Sequence, residues 1–275
     1  MNDFLEKRLN IAIVGTGIAG LGIAHLLYPH HDIKIYEKND YIGGHSRTID
    51  INTPEGKVAV DTGFIVFNKR NYPLLSSLFE HLNVETQKSD MSFGVSIDKG
   101  WLEYGTMNLK NIFVQKTNIL NIKFLRMIRD ILKFNKNARS YLECKTEITV
   151  KECLEELKLG QWFQKYYLLA MGGAIWSTPI SSMLEFPAKT FIRFFENHGL
   201  LTIHRHPQWY TVKNGSREYI KCLTEKFTHN ILLNCGVTKV VRQDDRVIVY
   251  DKKGGIETYD QIIFASHADQ ALNVI

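Results

Sequence analysis

The sequence predicts an α/β fold, a Rossmann-like dinucleotide-binding domain with an inserted α+β domain. Three observations predict it. Gly15, Gly17 and Gly20 stand between an apolar run, Asn10–Val14, and a stretch with apolar residues at helical spacing, residues 21–28. A second strand-like run, residues 33–36, ends at an acid, Glu37, seventeen residues after Gly20. The middle of the chain, from about residue 76 to 206, reads as a hairpin and helices before strands resume.

Taken in order, residues 10–14 are short, apolar and bounded by glycine, which predicts a buried parallel strand. The helix that follows is stopped by Pro29. Gly15 permits the tight turn between them, Gly17 lets the backbone approach a pyrophosphate, and Gly20 allows close packing of helix on strand. An anion would rest on the free N–H groups at the helix N-terminus. Glu37 is placed to accept hydrogen bonds from both ribose hydroxyls, which disfavours a 2′-phosphate and hence NADP. A glycine-rich turn in an ordinary α/β domain produces the triplet alone; here strand, helix and acid accompany it, the signature of an adenine dinucleotide site.

Further along, residues 91–97 alternate around apolar positions, Asp98-Lys99-Gly100 turns the chain, and residues 101–104 return, predicting a hairpin. Residues 118–137, 151–157 and 191–197 read as helices. A second hairpin is expected from residues 247–250 and 256–259 across a Lys-Lys-Gly-Gly turn, and a last helix from Ala268. The expected division is 1–75 and 207–275 for the nucleotide-binding domain and 76–206 for the insertion.

After Glu37 come Gly43-Gly44-His45-Ser46-Arg47 and, past a β-like stretch, Asp61-Thr62-Gly63-Phe64. With these residues the chain resembles the flavin-containing amine oxidoreductase superfamily, which holds monoamine oxidases, protoporphyrinogen oxidases and phytoene desaturases. The stretch from Trp209 through Gly215-Ser216-Arg217 to Tyr219, the segment around Val237, and Tyr259 to His267 with Ala265-Ser266 extend the resemblance over most of the chain. It implies FAD as cofactor and a substrate domain at residues 76–206. The implied cofactor-binding positions are Gly15, Thr16, Gly17, Ile18, Ala19 and Gly20 in the first turn, with Glu37 and Lys38 at the acid. Gly43, Gly44, His45 and Arg47 follow, then Thr62, Gly63 and Phe64, and finally Val237, Ala265 and Ser266. In the superfamily an arginine stands near the double glycine; here it is displaced to Arg47 with His45 beside the glycines, so both are candidates for touching the cofactor.

The finer pattern, Gly43-Gly44-His45, Asp61 to Val66 and Trp176-Ser177-Thr178, resembles a bacterial subgroup described as FAD-binding and linked to membrane fatty-acid modification. One departure stands out. The superfamily closes with a Gly-Asp element that caps the pyrophosphate and flavin, and this sequence has no Gly-Asp dipeptide and ends at Ile275, so the chain reads as the first two thirds of such a protein.

Composition agrees with a large α/β domain carrying an insertion: 275 residues, 44% of them hydrophobic. Cys144, Cys153, Cys222 and Cys235 form no C-x-x-C and no metal-ligand spacing, which predicts reduced thiols, no metal and a cytoplasmic setting. No signal peptide or apolar stretch of transmembrane length is expected. The net charge of +5 is unevenly spread: the window from Lys110 to Arg139 carries +7, and the remainder is net acidic by two. Within it Phe124, Leu125, Ile128, Ile131 and Leu132 form an apolar stripe on a basic helix near residues 118–137. Two readings stand open: peripheral contact with the inner face of an anionic membrane, or packing on the substrate domain with a solvated basic face. A nucleic-acid partner is not expected, because the aromatics nearby sit at core spacing rather than interleaved as stacking platforms.

His204 and His206 flank Arg205 and suit either proton transfer or a surface role; the run from Met171 to Ser177 suits either a substrate tunnel or a packing joint. No motif identifies a catalytic residue. The resulting expectation is an FAD-dependent oxidoreductase whose flavin takes a hydride from an apolar small-molecule or lipid substrate. The alternatives are an amine oxidase acting on a C–N bond and a non-catalytic FAD-binding subunit that docks on a membrane or a lipid-modifying partner.

Overall fold

The computed structural model describes residues 7–144, 146–176, 179–202 and 207–275. Ser177, Thr178, His204, Arg205 and His206 therefore lie outside the described residues. The chain forms two compact units, one comprising the residues up to Phe67 with Tyr72–Ser89 and Tyr210–Ile275, the other Asn68–Asn71 and Asp90–Trp209.

The first unit is built on a parallel sheet. Its strands run in the order Gln261–Phe264, β1 (Asn10–Val14), β2 (Asp32–Tyr36), Ile231–Leu232. Parallel strands covered on both faces read as continuous apolar runs, and Ile11, Ala12 and Ile13 are buried accordingly. The connecting helix α1 (Ile18–Leu27) starts three residues before the apolar spacing predicts, because Gly17 is its N-cap and Ile18, Ala19 and Gly20 already belong to its first turn. Beside the sheet lie an antiparallel hairpin, β3 (Thr48–Thr53) with β4 (Gly56–Asp61), and a three-stranded antiparallel sheet of Val237–Gln243, Arg246–Asp251 and Ile256–Tyr259. That sheet packs on the parallel one around Tyr36 and Tyr259, whose hydroxyls are 2.7 Å apart. Burial pushes the Tyr36 phenol up to about 12.

The boundary expected at residues 75 and 76 moves to 89 and 90. The helix Pro73–His81 stays with the first unit because Phe79 closes its core, its ring 5.1 Å from Phe67 and 5.0 Å from Tyr219. On the same helix His81 faces His25 of α1, ring centroids 5.9 Å apart. Burial, and then the positive charge of His81, hold the His25 imidazole below its ordinary value of 6.5, with Lys226 adding to the effect and a backbone hydrogen bond to Leu223 opposing it. The folded state thus binds fewer protons here than the unfolded chain, so the stability His25 contributes is complete above about pH 6.5 and lost as pH falls through its lowered folded value. Thermal unfolding followed from pH 7.5 to 5 should show a falling Tm, and His25→Gln should flatten that part of the curve. An unchanged pH profile in the variant would contradict the assignment.

The second unit holds the hairpin Gly94–Ile97 with Leu102–Gly105 and the helices Ile122–Asn137, Val150–Glu156, Leu169–Trp176 and Ala188–Asn197 around an aromatic core that includes Phe124, Phe134, Phe163, Phe191 and Phe195. The basic helix starts at Ile122 rather than 118, since the Asn121 side chain accepts hydrogen bonds from the Lys123 and Phe124 amides and caps it there. Its core seam also differs from the predicted stripe. Phe124, Met127 and Phe134 are buried and Ile128 and Ile131 pack beside them, whereas Leu125 and Leu132 face outward. The stripe is therefore partly core, as the packing reading expects, and Leu125 and Leu132 leave it. No helix among the described residues is long and apolar enough to cross a membrane.

Candidate functional site

The chain turns at the carboxyl ends of the four parallel strands and again after β4, all in the first unit. The first joins β1 to α1. Here Gly15 adopts φ +104° and donates its N–H to the Tyr36 carbonyl, 2.8 Å away. A Cβ on Gly20 would overlap the Gly15 carbonyl oxygen, so only glycine lets α1 seat on the turn. Gly17 caps α1 without any side-chain hydrogen bond. Its own amide and those of Ile18, Ala19 and Gly20 face no helical carbonyl, as at any helix start, which leaves them as donors for an anion. The space a Cβ on Gly17 would enter is open, with nothing among the described residues within 4 Å.

Backbone bonds tie the double-glycine loop and the last parallel strand to β1 and its turn, and the segment after β4 to that loop. Gly43 donates to the Thr16 carbonyl at 3.0 Å, Phe64 to the His45 carbonyl at 2.9 Å, Thr62 to the Arg47 carbonyl at 2.9 Å, and Ala265 to the Val14 carbonyl at 2.8 Å. Gly44 sits at φ +59° with its Cβ position 3.0 Å from the Gly17 Cα, so the double-glycine loop lies directly over the phosphate-type turn. Cys235 donates to the Glu37 carbonyl at 2.8 Å, which sets the start of the strand at Val237 two residues away from that contact. Ser266 follows Ala265 at the far side. Lys38 is exposed, its ammonium 3.3 Å from the Gln270 amide oxygen.

Glu37 is the site's buried acid, and it is not idle. One carboxylate oxygen accepts the Thr16 N–H at 3.0 Å and the Thr16 hydroxyl at 2.5 Å; the other accepts the Asn39 N–H and side-chain amide, each at 2.9 Å. A carboxylate offers about four acceptor positions, so all are taken. Two of its four donors are fixed backbone amides, and only the Thr16 hydroxyl and the Asn39 side-chain amide can rotate away to admit a ribose. Sequence reasoning placed Thr16 in the turn without seeing this bond, and it did not single out Asn39. The carboxyl-to-backbone bond two residues along is the local signal that points to it.

The two candidates beside the double glycine diverge. Arg47 lays its guanidinium over the Tyr41 ring, 4.6 Å from the centroid, while His45 stacks on His267 at 6.3 Å. Asp61, just before Thr62-Gly63, serves structure: it accepts from the Thr48 hydroxyl at 2.6 Å, the Ser216 hydroxyl at 2.7 Å and the Ser216 N–H at 2.9 Å, capping the helix Arg217–Thr224. No group of metal-ligating residues occurs among the described residues.

Fold and turn geometry together define an α/β protein of Rossmann type. Residues 13–82 match the family model described as an NAD(P)-binding Rossmann-like domain. No curated protein matches the sequence. Among solved structures, a putrescine oxidase bound to putrescine superposes with a TM-score of 0.68 at 16% identity, over 98% of this chain and 60% of that one. A protoporphyrinogen oxidase-like protein from Exiguobacterium sp. 255-15 gives 0.62 at 16%, over 96% and 61%. A CLA-producing fatty acid isomerase from P. acnes gives 0.59 at 14%, over 96% and 60%. The chain shares the fold of these proteins and spans about three fifths of their length.

Proposed function

We propose that the chain is an FAD-dependent oxidoreductase of the amine-oxidase type. The observation that carries the reading is the pair formed by uncapped amides at the start of α1 and a buried carboxylate at the end of the neighbouring strand, roofed by a double-glycine loop. The amides of Gly17, Ile18, Ala19 and Gly20 would hold a diphosphate, which the open space beside Gly17 leaves room to approach. Glu37 would accept the ribose hydroxyls in exchange for the Thr16 hydroxyl and Asn39 amide, and its charge would repel a 2′-phosphate. Lys38, Val237, Ala265 and Ser266 would hold the adenosine side of the cofactor, and Gly43, Gly44, His45, Arg47, Thr62, Gly63 and Phe64 the other. FAD, when bound, supplies a two-electron acceptor for hydride from a substrate C–H.

For the substrate we favour an apolar one, such as a lipid acyl chain; the fold shared with a fatty acid isomerase supports this. Oxidation of an amine at C–N is the second reading, supported by the fold shared with a putrescine oxidase that binds putrescine. Expression with ample riboflavin should give yellow protein that releases close to one FAD per chain on denaturation. Colourless protein that takes up no added FAD would overturn the cofactor. Anaerobic addition of acyl lipids and of amines then sorts the substrates by which one bleaches the flavin, and bleaching by neither would leave a non-catalytic FAD-binding subunit.

A further inference from the structure

The second unit carries an aliphatic surface that its own core does not use. Leu120 is 86% exposed, Ile122 65% and Leu125 42%, on the turn before the basic helix and on its first two turns. Leu132 continues the same face two turns on, since Ile122, Leu125, Arg129, Leu132 and Lys136 advance by three or four residues at a step. A ring contact of 6.0 Å between Phe113 and Phe124 brings the segment with exposed Leu109 and Val114 against the start of this helix. Large aliphatics concentrated this way on a solvated surface mark an interaction site.

Charge says with what. Arg129 pairs with Asp130 and Arg139 with Glu196, which leaves Lys123, Arg126, Lys133 and Lys136 without an ion-pair partner among the described residues. Asp130 is the single acid of the helix, and it points inward, buried, accepting the Gly160 N–H at 2.9 Å. The outer face is therefore aliphatic and cationic with no negative charge. A two-fold interface with a second copy would set these cations against themselves. An anionic bilayer accepts both features, the aliphatic tips entering the acyl boundary while lysine and arginine stems reach back to the headgroups.

We infer that the Leu120 to Leu132 face docks the protein on an anionic lipid bilayer, without spanning it. This goes beyond the flavin reading and does not depend on it. The test is co-sedimentation of the full chain, with and without bound flavin, with vesicles of phosphatidylcholine alone or mixed with phosphatidylglycerol. Partitioning should favour the anionic vesicles by roughly six hundredfold, from about fivefold for each of the four unpaired cations, and decline with added salt. Lys133→Gln with Lys136→Gln should weaken it roughly twentyfold, and Leu120→Ser with Leu125→Ser by roughly tenfold or more. All four positions are exposed, so an unchanged Tm verifies folding. No binding, equal binding to neutral and anionic vesicles, or binding indifferent to the leucine pair would overturn the inference. So would a dimer in sedimentation equilibrium that the leucine pair dissolves.

Discussion

Gly20→Ala is expected to destabilise the nucleotide-binding unit by about 3 kcal/mol and to abolish flavin retention. The added methyl would overlap the Gly15 carbonyl oxygen and approach the Ala265 Cβ to 3.2 Å. The oxygen belongs to backbone, already held in a turn at φ +104°, so relief requires moving the turn rather than a side chain. Overpacking of this kind typically costs about 1–3 kcal/mol, with backbone overlap at the upper end. A loss of that size lowers Tm by roughly 6–12 °C in a unit of this size. Gly17→Ala separates structure from binding. Its Cβ position is open and its φ of −67° suits any residue, so Tm should hold while flavin affinity falls, because the methyl occupies the space left for the diphosphate. Differential scanning calorimetry and flavin content read the two effects apart. A Gly20→Ala protein as stable and as yellow as its parent would contradict the packing described.

Glu37→Gln should cost stability and cofactor together. The carboxylate collects four donors within the fold. Hydrogen bonds to a charged group contribute about 1.5–3 kcal/mol each, and an amide turns one acceptor into a donor that must face another donor. A net loss of about 3 kcal/mol follows, with bound FAD reduced in the same variant. Thr16→Val is the informative partner. It removes one rotatable donor, at a cost of about 1 kcal/mol, yet it removes a group that a ribose hydroxyl replaces, so flavin content should change far less than in Glu37→Gln. Equal flavin loss in both variants would show that Glu37 keeps its internal partners and does not turn to the sugar.

These outcomes depend on interactions the sequence shows unevenly. The β1 to α1 turn is legible because strand, glycine spacing and helix are adjacent, and local geometry alone requires Gly15 and Gly20. Glu37 is legible as an acid at the right distance, but its capture by Thr16 across 21 residues is a tertiary contact without a sequence period. Asp61 is less legible still. Its partner Ser216 lies 155 residues away, so the segment reads as part of the ligand site when its carboxylate caps a helix. The basic helix shows a third limit. Leu125 and Leu132 satisfy a helical repeat as well as Met127 and Phe134 do, and only the packed core decides which pair turns inward. Likewise the helix Pro73–His81 joins the first unit through Phe79, a contact that no boundary in composition announces.

The central claim is that backbone amides at the start of α1, under the double-glycine loop, hold the diphosphate of an adenine dinucleotide. Glycine-selective isotopic labelling and NMR of the flavin-free chain test it directly as FAD is added. The account predicts that the amide resonances of Gly15, Gly17, Gly20, Gly43 and Gly44 shift together with saturation, while that of Gly56, at the tip of the β3–β4 hairpin with nothing among the described residues within 4 Å of its Cβ position, stays in place. Shifts confined to glycines outside the first turn and the double glycine, or none at saturating FAD, would contradict it.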